Sequence, residues 1–313
     1  MVDRYQIESC KHRLDKGYSH FILKTPLWKL PGSTLGIGCE EVWLKLEHLQ
    51  TAGSFKTRGM LNRLLSNPIP ESGVIVASGG NAGIATAAAA RELKVRCEVF
   101  VPEVSSPAKR ARLAALGADV VVVGAAYAQA FDACLARQAV TGALMTHAYD
   151  QPEVLAGAGT LALEIEQQGG VPDAVLVSVG GGGLIGGIAS WFEQRSRIVA
   201  VEPELAPTLF MAREAGQPVD VSVSGIAADS LGAKRIGSLA WDATQAHVRD
   251  ALLLPDGAIR AAQLWLWQEL KLAVEPAAAL PLAALQAGCY VPRSDEKVCL
   301  IICGANLDPA SLA

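Results

Sequence analysis

The feature of this sequence that most limits its fold is a regular alternation of short apolar runs with helical segments. Apolar runs of strand length predict strands at residues 73–78, 95–102, 118–124 and 143–149. Helical periodicity predicts helices between them at residues 82–93, 108–116 and 127–140. Strands that are joined through helices form parallel sheets, so this part of the chain is predicted to be a small parallel sheet with helices on both faces.

A second α/β unit follows. Helices are predicted at residues 152–168, 184–195, 259–272 and 277–287, and strands at residues 42–47, 174–179, 197–202 and 297–303. Residues 1–40 and 203–250 are weakly patterned. Because no repeat or low-complexity linker separates the units, we expect two interlocked domains. The large α/β domain comprises residues 1–48 and 144–313, and the small α/β domain comprises residues 49–143.

Composition limits the partners of the chain. The 313 residues are 51% hydrophobic with a formal net charge of −4, which excludes a nucleic-acid-binding role based on excess positive charge. The charge-free run at residues 174–192 contains six glycines and is predicted to be a buried strand and loop, so no membrane association is expected. Residues 1–30 lack the apolar core of a signal peptide, and seven cysteines occur without a CxxC pair, which indicates a cytoplasmic protein.

One lysine lies in a segment suited to imine chemistry, GSFKTRG at residues 53–59. Ser54 fits the N-cap position and leucines recur at helical spacing after it, so Lys56 is predicted to lie in the first turn of a helix. The helix dipole and the nearby Arg58 favour the neutral amine, which is the form that attacks an aldehyde. The alternative is that Lys56 is a solvated charge at an exposed helix start.

Four consecutive glycines, residues 180–183, lie between a predicted strand and a predicted helix. Backbone N–H groups can converge there without interfering side chains, so a phosphate group is the expected ligand. Gly181, Gly183 and Gly186 also form a GxGxxG pattern, with Glu202 about 20 residues further on. That alternative predicts a dinucleotide site and an NAD-dependent oxidoreductase. A merely flexible loop is the third interpretation.

Two more loops follow predicted strands, SGGNAG at residues 78–83 and CGAN at residues 303–306. The hydroxyl, carboxamide and free amides of the first suit a carboxylate, and Asn81 can donate to a phenolic oxygen or act as an N-cap. Loops at the carboxyl ends of strands in an open α/β sheet face one crevice. Cys303 is therefore predicted to lie near the other loops, with a purely structural thiol as the alternative.

Together these four motifs, GSFKTRG, SGGNAG, VGGGG and CGAN, resemble those of the fold-type II pyridoxal-phosphate enzymes, whose fold is similar to that of tryptophan synthase β. The similarity is greatest to the serine/threonine dehydratase and serine racemase branch and extends over nearly the whole chain. It implies pyridoxal phosphate as the cofactor, bound by Phe55, Lys56, Asn81, Gly180, Gly181, Gly182, Gly183 and Cys303.

The resemblance also implies a role for each residue. Lys56 would form an imine with the cofactor and act as the catalytic base, while the four glycines would hold the phosphate. Asn81 would meet the ring oxygen, Phe55 would pack against the ring, and Cys303 would lie beside the pyridine nitrogen. The substrate would be bound by Ser78, Gly79, Asn81 and Ala82.

The implied reaction is α,β-elimination of a β-hydroxy amino acid, serine, threonine or a related 3-hydroxy amino acid, to a 2-oxo acid and ammonia. A neutral thiol cannot keep the ring nitrogen protonated as an aspartate would, which favours loss of a β-substituent over transamination. A serine racemase or a β-replacement enzyme are the alternatives within the family. Residues 124–130 contain no basic residue, which argues against hydroxyaspartate as the substrate.

Stereochemistry and quaternary structure are also predicted. Gly79 occupies the position of a serine that serves the racemases as a second base, so no racemisation is expected, and extra room over the cofactor is expected for a bulky β-substituent. The predicted helix at residues 259–272 carries Trp265 and Trp267, which suit a core or a subunit interface, and a homodimer is expected. A regulatory domain beyond residue 313 is not expected.

The family often binds a structural cation near the tetraglycine loop. The resemblance implies a carboxylate ligand from Glu202 and carbonyl ligands from Gly157, Ala206, Leu231 and Ala233. One carboxylate suits a monovalent ion such as K⁺ or a weakly bound divalent ion. Thr208 replaces an acidic residue found in some racemases, which argues against tight divalent binding. The alternative for Glu202 is an ordinary salt bridge at the end of a strand.

Overall fold

The strands form two separate sheets. The computed structural model describes residues 2–312. Its strands are β1 (Leu27–Pro31), β2 (Glu41–Lys45), β3 (Val74–Ala77), β4 (Cys97–Val101), β5 (Asp119–Val122), β6 (Leu144–Met145), β7 (Ala174–Ser178), β8 (Arg197–Pro203), β9 (Val248–Leu254) and β10 (Lys297–Ile301).

The order of the strands confirms an α/β fold with mainly parallel sheets. The larger sheet has the order β1-β2-β10-β7-β8-β9, and only the β1–β2 pair is antiparallel. The smaller sheet has the order β5-β4-β3-β6 and is entirely parallel. β6 pairs with β3 although the sequence division placed its residues in the large domain. The division into two domains stays an interpretation.

The helices connect these strands. They are α1 (Arg4–Tyr18), α2 (Lys56–Leu65), α3 (Asn81–Glu92), α4 (Pro107–Ala115), α5 (Tyr127–Thr141), α6 (Pro152–Gly169), α7 (Gly183–Phe192), α8 (Thr208–Ala215), α9 (Ser238–His247), α10 (Asp256–Leu270) and α11 (Pro276–Gln286). The helices predicted from periodicity agree with these bounds to within a few residues. The charge-free run forms β7 and α7, which are buried, and no described helix is long and apolar enough to cross a membrane.

A buried ion network joins the two halves of the chain behind α2. Arg58 lies 2.8 Å from a carboxylate oxygen of Glu47 and 2.8 Å from one of Glu164, and all three side chains are inaccessible to solvent. The Lys45 ammonium lies 2.9 Å from the same Glu164 carboxylate. The two positive and two negative charges compensate each other, as buried charges must. α2 is thereby tied to β2, to the segment after it and to α6.

α2 and α6 approach each other closely. A Cβ atom at Gly157 would collide with the backbone of Gly59, and a Cβ atom at Gly59 would lie 2.8 Å from the carbonyl oxygen of Val154. Glycine at both positions therefore lets the two helix backbones touch without a layer of side chains. The start of α2, which carries Lys56, is fixed against α6 by this contact.

Candidate active site

The lysine segment and the C-terminal loop lie side by side because their backbones pair. The Phe55 N–H donates to the Cys303 carbonyl at 3.1 Å, and the Ala305 N–H donates to the Gly53 carbonyl at 2.9 Å. A β-bridge joins Ser54 and Gly304 between these bonds. Two segments that are distant in the sequence therefore meet at one point, which places Lys56 beside Cys303.

Lys56 is the first residue of α2, as predicted, and its amine reaches into a cleft between the two sheets. The Nζ atom donates to the Ala148 carbonyl at 2.5 Å and lies 5.0 Å from the centre of the Phe55 ring. Burial lowers the pKa of Lys56 from 10.5 to about 8, with a small opposing effect of Cys303. The neutral fraction of this amine near pH 7 is thus roughly 300-fold larger than that of a free lysine.

Two expectations about the surroundings of Lys56 are wrong, namely that Ser54 caps the helix and that Arg58 repels the lysine charge. Phe55, not Ser54, precedes the first turn of α2, and the buried Ser54 hydroxyl makes no hydrogen bond among the described residues. The guanidinium of Arg58 points away from the cleft into the buried ion network, where two carboxylates neutralise its charge. Desolvation of Lys56, rather than repulsion by Arg58, therefore favours the neutral amine.

The tetraglycine loop presents a row of free amides to the same cleft. Within residues 2–312, none of the N–H groups from Gly180 to Ile185 has a hydrogen-bond acceptor in the protein. The first residues of α7 contribute half of these donors, together with the positive end of the helix dipole. Converging amides at a helix N-terminus form a site for an anion, and a phosphate group fits this donor set.

Each glycine of this loop also makes room for a neighbour. A Cβ atom at Gly181 would collide with the ring of Tyr149, and one at Gly180 would lie 3.1 Å from the Cα atom of Leu231. Gly182 has a left-handed backbone with φ of 88°, a conformation that L side chains rarely adopt. These constraints exclude the interpretation of a merely flexible loop. Tyr149, which the sequence analysis did not identify, lines the cleft.

The environment of Glu202 argues against the dinucleotide alternative. Its carboxylate is fully buried and accepts hydrogen bonds from the Leu209 N–H at 2.8 Å and the Phe210 N–H at 2.7 Å. Glu202 thus caps the N-terminus of α8 and does not extend into the cleft to meet a ribose. The second alternative for Glu202, a salt bridge, is also wrong within the described residues, because its partners are amides and the Thr208 hydroxyl.

The asparagine loop contributes Asn81, the first residue of α3. Gly80 takes the N-cap position, so the interpretation of Asn81 as an N-cap is wrong. The Asn81 Nδ2 atom donates to both carboxylate oxygens of Glu275, at 3.0 and 2.9 Å. Its Oδ1 atom accepts from the Asn306 side chain at 2.5 Å. Glu275, which the sequence analysis missed, and Asn306, which it included in the CGAN motif without a role, thereby hold the carboxamide at the cleft.

The remaining predicted substrate-binding residues lie near this loop. The Ser78 hydroxyl accepts from the Gly80 N–H at 3.3 Å, and Ala82 is buried within α3. A Cβ atom at Gly79 would lie 3.3 Å from the Val101 side chain and 3.4 Å from the Ser105 hydroxyl. The expectation that Gly79 leaves room over a cofactor is therefore wrong. A side chain at this position would point toward the end of β4 and not into the cleft.

Cys303 lies at the end of the loop after β10 and lines the cleft with Lys56 and Asn81. Cys303 is 5% exposed, and its pKa lies well above the ordinary value. Burial is the main cause, and the neighbouring Glu275 carboxylate is the second. The side chain is thus a neutral thiol over the physiological pH range. It suits a hydrogen-bond partner of a pyridine nitrogen and not a nucleophile.

The residues expected to bind a cation fall into two places. Near the tetraglycine loop, the Thr208 hydroxyl bonds to both Glu202 and the Gly180 carbonyl, and Leu231 packs on Gly180. Ala206 is buried and Ala233 half-buried on the segments that follow β8 and Leu231. The Gly157 carbonyl accepts from the Thr160 hydroxyl at 2.6 Å, inside α6. Cation binding by these residues stays a prediction.

The cleft as a whole fits pyridoxal phosphate. Residues from all four motifs line it, namely Phe55, Lys56, Asn81, Gly180, Gly181, Gly182, Gly183 and Cys303. Free amides would hold the phosphate, the desolvated lysine would hold the aldehyde carbon, and the neutral thiol would meet the ring nitrogen. The unpaired amides are the decisive feature, because buried donors without acceptors are rare in proteins unless a ligand completes them.

Comparison with known proteins agrees with this chemistry. The sequence is 36% identical to the L-threonine ammonia-lyase of Geobacter sulfurreducens, over 87% of this chain and 69% of that protein. It is 32% identical to the phenylserine dehydratase of Ralstonia pickettii, over 93% of this chain and 88% of that protein.

Solved structures with a similar fold include two enzymes of this kind. Maize serine racemase superposes with a TM-score of 0.91 at 27% identity, covering 99% of this chain and 95% of that one. A threonine deaminase from T.th. superposes with a TM-score of 0.89 at 32% identity, covering 98% of this chain and 99% of that one. The family model described as pyridoxal-phosphate dependent enzyme matches residues 18–304. The chain belongs to this family and has the fold-type II architecture.

Proposed function

We propose that this protein catalyses α,β-elimination of a β-hydroxy amino acid, giving a 2-oxo acid and ammonia with pyridoxal phosphate as the cofactor. One observation carries the proposal: the desolvated amine of Lys56 and the free amides of the tetraglycine loop lie in one cleft. The cleft thus combines a base that is partly neutral at physiological pH with a site for the phosphate of the cofactor.

Each group that lines the cleft has a separate role in the proposed reaction. Pyridoxal phosphate, when bound, would supply an electron sink for the α-carbon of the substrate. The Lys56 amine would act as the base that takes the α-proton. The free amides and the positive end of α7 would hold the phosphate, so the backbone would set the position of the cofactor. The neutral Cys303 thiol would leave the ring nitrogen without a charged partner, which favours loss of a β-substituent over transamination.

The reaction balances without an oxidant or reductant. The α-proton and the β-hydroxyl leave the substrate as water, and a carbon–carbon double bond forms between the α- and β-carbons. The resulting enamine takes up a proton at the β-carbon and is hydrolysed at the α-carbon. Water therefore leaves in one step and enters in the next, and the products are a 2-oxo acid and ammonia.

The relatives support a 3-hydroxy amino acid as the substrate class. Threonine and phenylserine both carry a hydroxyl on the β-carbon, and the relatives named for them cover most of this chain. Two structural neighbours are named as serine racemases, at 27% and 29% identity, so racemisation is the second candidate within the same cleft.

The test is ammonia release from a panel of L-serine, L-threonine, L-phenylserine and 3-hydroxyaspartate. We expect turnover of at least one of the first three, and loss of at least 100-fold in Lys56→Ala, because this variant removes the base. The Lys56→Ala protein should also lose the covalent cofactor adduct that borohydride traps in the parent. Turnover of Lys56→Ala within about tenfold of the parent, or no ammonia from any substrate, would contradict the proposal.

A structural cation near Glu202 is a separate proposal. Thr208 links this carboxylate to the carbonyl of Gly180, so an ion there would stabilise the phosphate loop. Thermal unfolding of the holoenzyme in K⁺, in tetramethylammonium and after chelation tests it. A midpoint that rises only with K⁺ supports a monovalent site, and one that is unchanged in all three contradicts the proposal.

We also propose a homodimer in the cytoplasm. Trp267 on α10 is 40% exposed, and such a large apolar side chain on the surface suits a subunit interface. Sedimentation at several protein concentrations, with Trp267→Glu as the variant, tests the dimer. A monomeric parent protein would contradict it, and so would a variant that dimerises as tightly as the parent.

A further inference from the structure

Glu275 is a carboxylate that is buried in the cleft without a basic partner in the described part of the chain. It is 4% exposed at the start of α11, and no basic side chain within residues 2–312 forms an ion pair with it. Burial raises its pKa, and only hydrogen-bond donors oppose that effect. A buried carboxylate without a positive partner is costly, so its presence indicates a function and not a contribution to stability.

The hydrogen bonds around Glu275 form a chain with a fixed direction. At one end, the carbonyl oxygen of Ala52 can only accept, and it accepts from the Asn306 side-chain nitrogen at 2.9 Å. The same nitrogen donates to the Asn81 Oδ1 atom at 2.5 Å. At the other end, the Asn306 backbone N–H can only donate, and it donates to Glu275 at 2.7 Å. Backbone groups therefore determine the polarity of both ends.

This chain leaves one orientation for the Asn81 carboxamide. Its oxygen must face Asn306, which offers a donor, and its nitrogen must face Glu275, which offers only acceptors when ionised. Asn81 Nδ2 has two hydrogens, and one can be shared between the two carboxylate oxygens. The second hydrogen then remains free for an acceptor in the cleft.

We propose that Glu275 is a positioning residue that holds the Asn81 carboxamide with its N–H toward the phenolic oxygen of the cofactor. This inference rests on the cofactor placement of the proposed function, and it does not depend on which substrate is used. The carboxylate acts through Asn81 and has no direct role in proton transfer. The negative charge of Glu275 also polarises the Asn81 amide group, and so affects the N–H that Asn81 directs toward the phenolic oxygen.

The isosteric substitution Glu275→Gln tests the role of polarity. Glutamine fills the same space but brings an NH₂ group against the NH₂ of Asn81, which forces one amide to turn. A turned Asn81 would present its oxygen to the phenolic oxygen of the cofactor, where two acceptors repel each other. The measurement is the dissociation constant of pyridoxal phosphate and of 3-deoxypyridoxal phosphate, which lacks that oxygen, from fluorescence titration of the apoprotein.

We expect Glu275→Gln to weaken binding of pyridoxal phosphate about tenfold or more, in line with loss of a hydrogen bond to a charged group. Binding of the 3-deoxy analogue should change less than about threefold. The matched control is Glu296→Gln, which neutralises another carboxylate that is 4% exposed but bonds to Tyr290 away from the cleft. This control should leave the ratio of the two dissociation constants unchanged.

Equal weakening of both ligands by Glu275→Gln would overturn the proposal, and so would unchanged binding of pyridoxal phosphate. If Glu275→Gln does not fold, Asn306→Ala removes the donor at the other side of Asn81, and the same selective loss is expected from it. Equal losses for both ligands in that variant would overturn the proposal as well. Cofactor binding is measured without substrate. The result therefore tests the role of Glu275 even if the protein does not eliminate a β-hydroxyl group.

Discussion

The side-chain nitrogen of Lys56 lies 2.5 Å from the carbonyl oxygen of Ala148, which belongs to the segment between β6 and α6. Lys56 starts α2, which packs against both α6 and α3, whereas β6 belongs to the smaller sheet. This hydrogen bond therefore ties the lysine to the segment after β6 and holds its amine in the cleft that Phe55 and Cys303 also line. An aldehyde entering the cleft meets an amine that is already oriented and desolvated.

The first prediction concerns the titration of that amine. Reductive ¹³C-methylation of the apoprotein should give one lysine resonance with a midpoint near 8, because burial disfavours the ammonium form. The resonance is assigned by its absence in Lys56→Arg. The other titrating resonances serve as internal controls, except that of Lys45, whose pKa is also lowered by burial. A midpoint for Lys56 near that of an ordinary lysine would show that the cleft is hydrated and that the amine is not preset as a base.

The second prediction concerns Gly181. Replacement by alanine places a methyl group against the Tyr149 ring, which should cost about 1–3 kcal/mol of unfolding free energy and weaken cofactor binding. The control is Gly38→Ala, because nothing lies within 4 Å of a Cβ atom at that position. Chemical denaturation and cofactor titration measure the two effects. The double variant Gly181→Ala/Tyr149→Ala should recover part of the stability, and a failure to recover any would argue against this contact as the cause.

The third prediction concerns the buried ion network. Arg58→Met should lower the free energy of unfolding by about 3–5 kcal/mol, because it removes the ion-pair partner of the buried Glu47 carboxylate and leaves Glu164 with Lys45 and Lys11 alone. The matched control is Arg137→Met, which removes a 46% exposed arginine and should cost far less, because solvent screens an exposed ion pair. Urea denaturation of both variants gives the comparison. Equal losses in the two variants would contradict the distinction between buried and exposed pairs.

The fourth prediction concerns stereochemistry. Elimination from L-serine should proceed without detectable D-serine, and Gly79→Ser should not introduce racemisation, because a side chain at this position is directed toward Ser105 and Val101. Chiral chromatography of the remaining substrate at half conversion measures both proteins. Interconversion of the enantiomers by the parent at a rate comparable to elimination would reverse the choice of dehydratase over racemase.

The parts of the fold that could be predicted are those whose signal is local. The central strand β7 has five buried apolar or small residues in a row, and its predicted bounds differ from the observed ones by one residue. α1 was missed although Asp3 and Gln6 form a capping box at its start, because few apolar residues follow on its buried face. β9 was missed because it is an edge strand, and Arg249 and Asp250 interrupt its apolar run.

The site residues that belong to a sequence motif could be predicted. Those that reach the site only through tertiary contacts could not. The four motifs identified the lining of the cleft. Glu275, by contrast, is 194 residues from Asn81, and only the folded chain brings the two together. A lone carboxylate between Val274 and Pro276 in an apolar region was its one sequence signal. The role of Arg58 was wrong for the same reason, because its two carboxylate partners could not be known from its neighbours in sequence.

The contact of Gly59 with Gly157 determines how the lysine can move. Side chains between two helices act as a soft layer, because rotamer changes let one helix shift against the other. No such layer exists here, since backbone meets backbone. α2 can therefore change position only together with α6. The lysine is thus carried on a rigid pair of helices whose spacing no rotamer change can adjust.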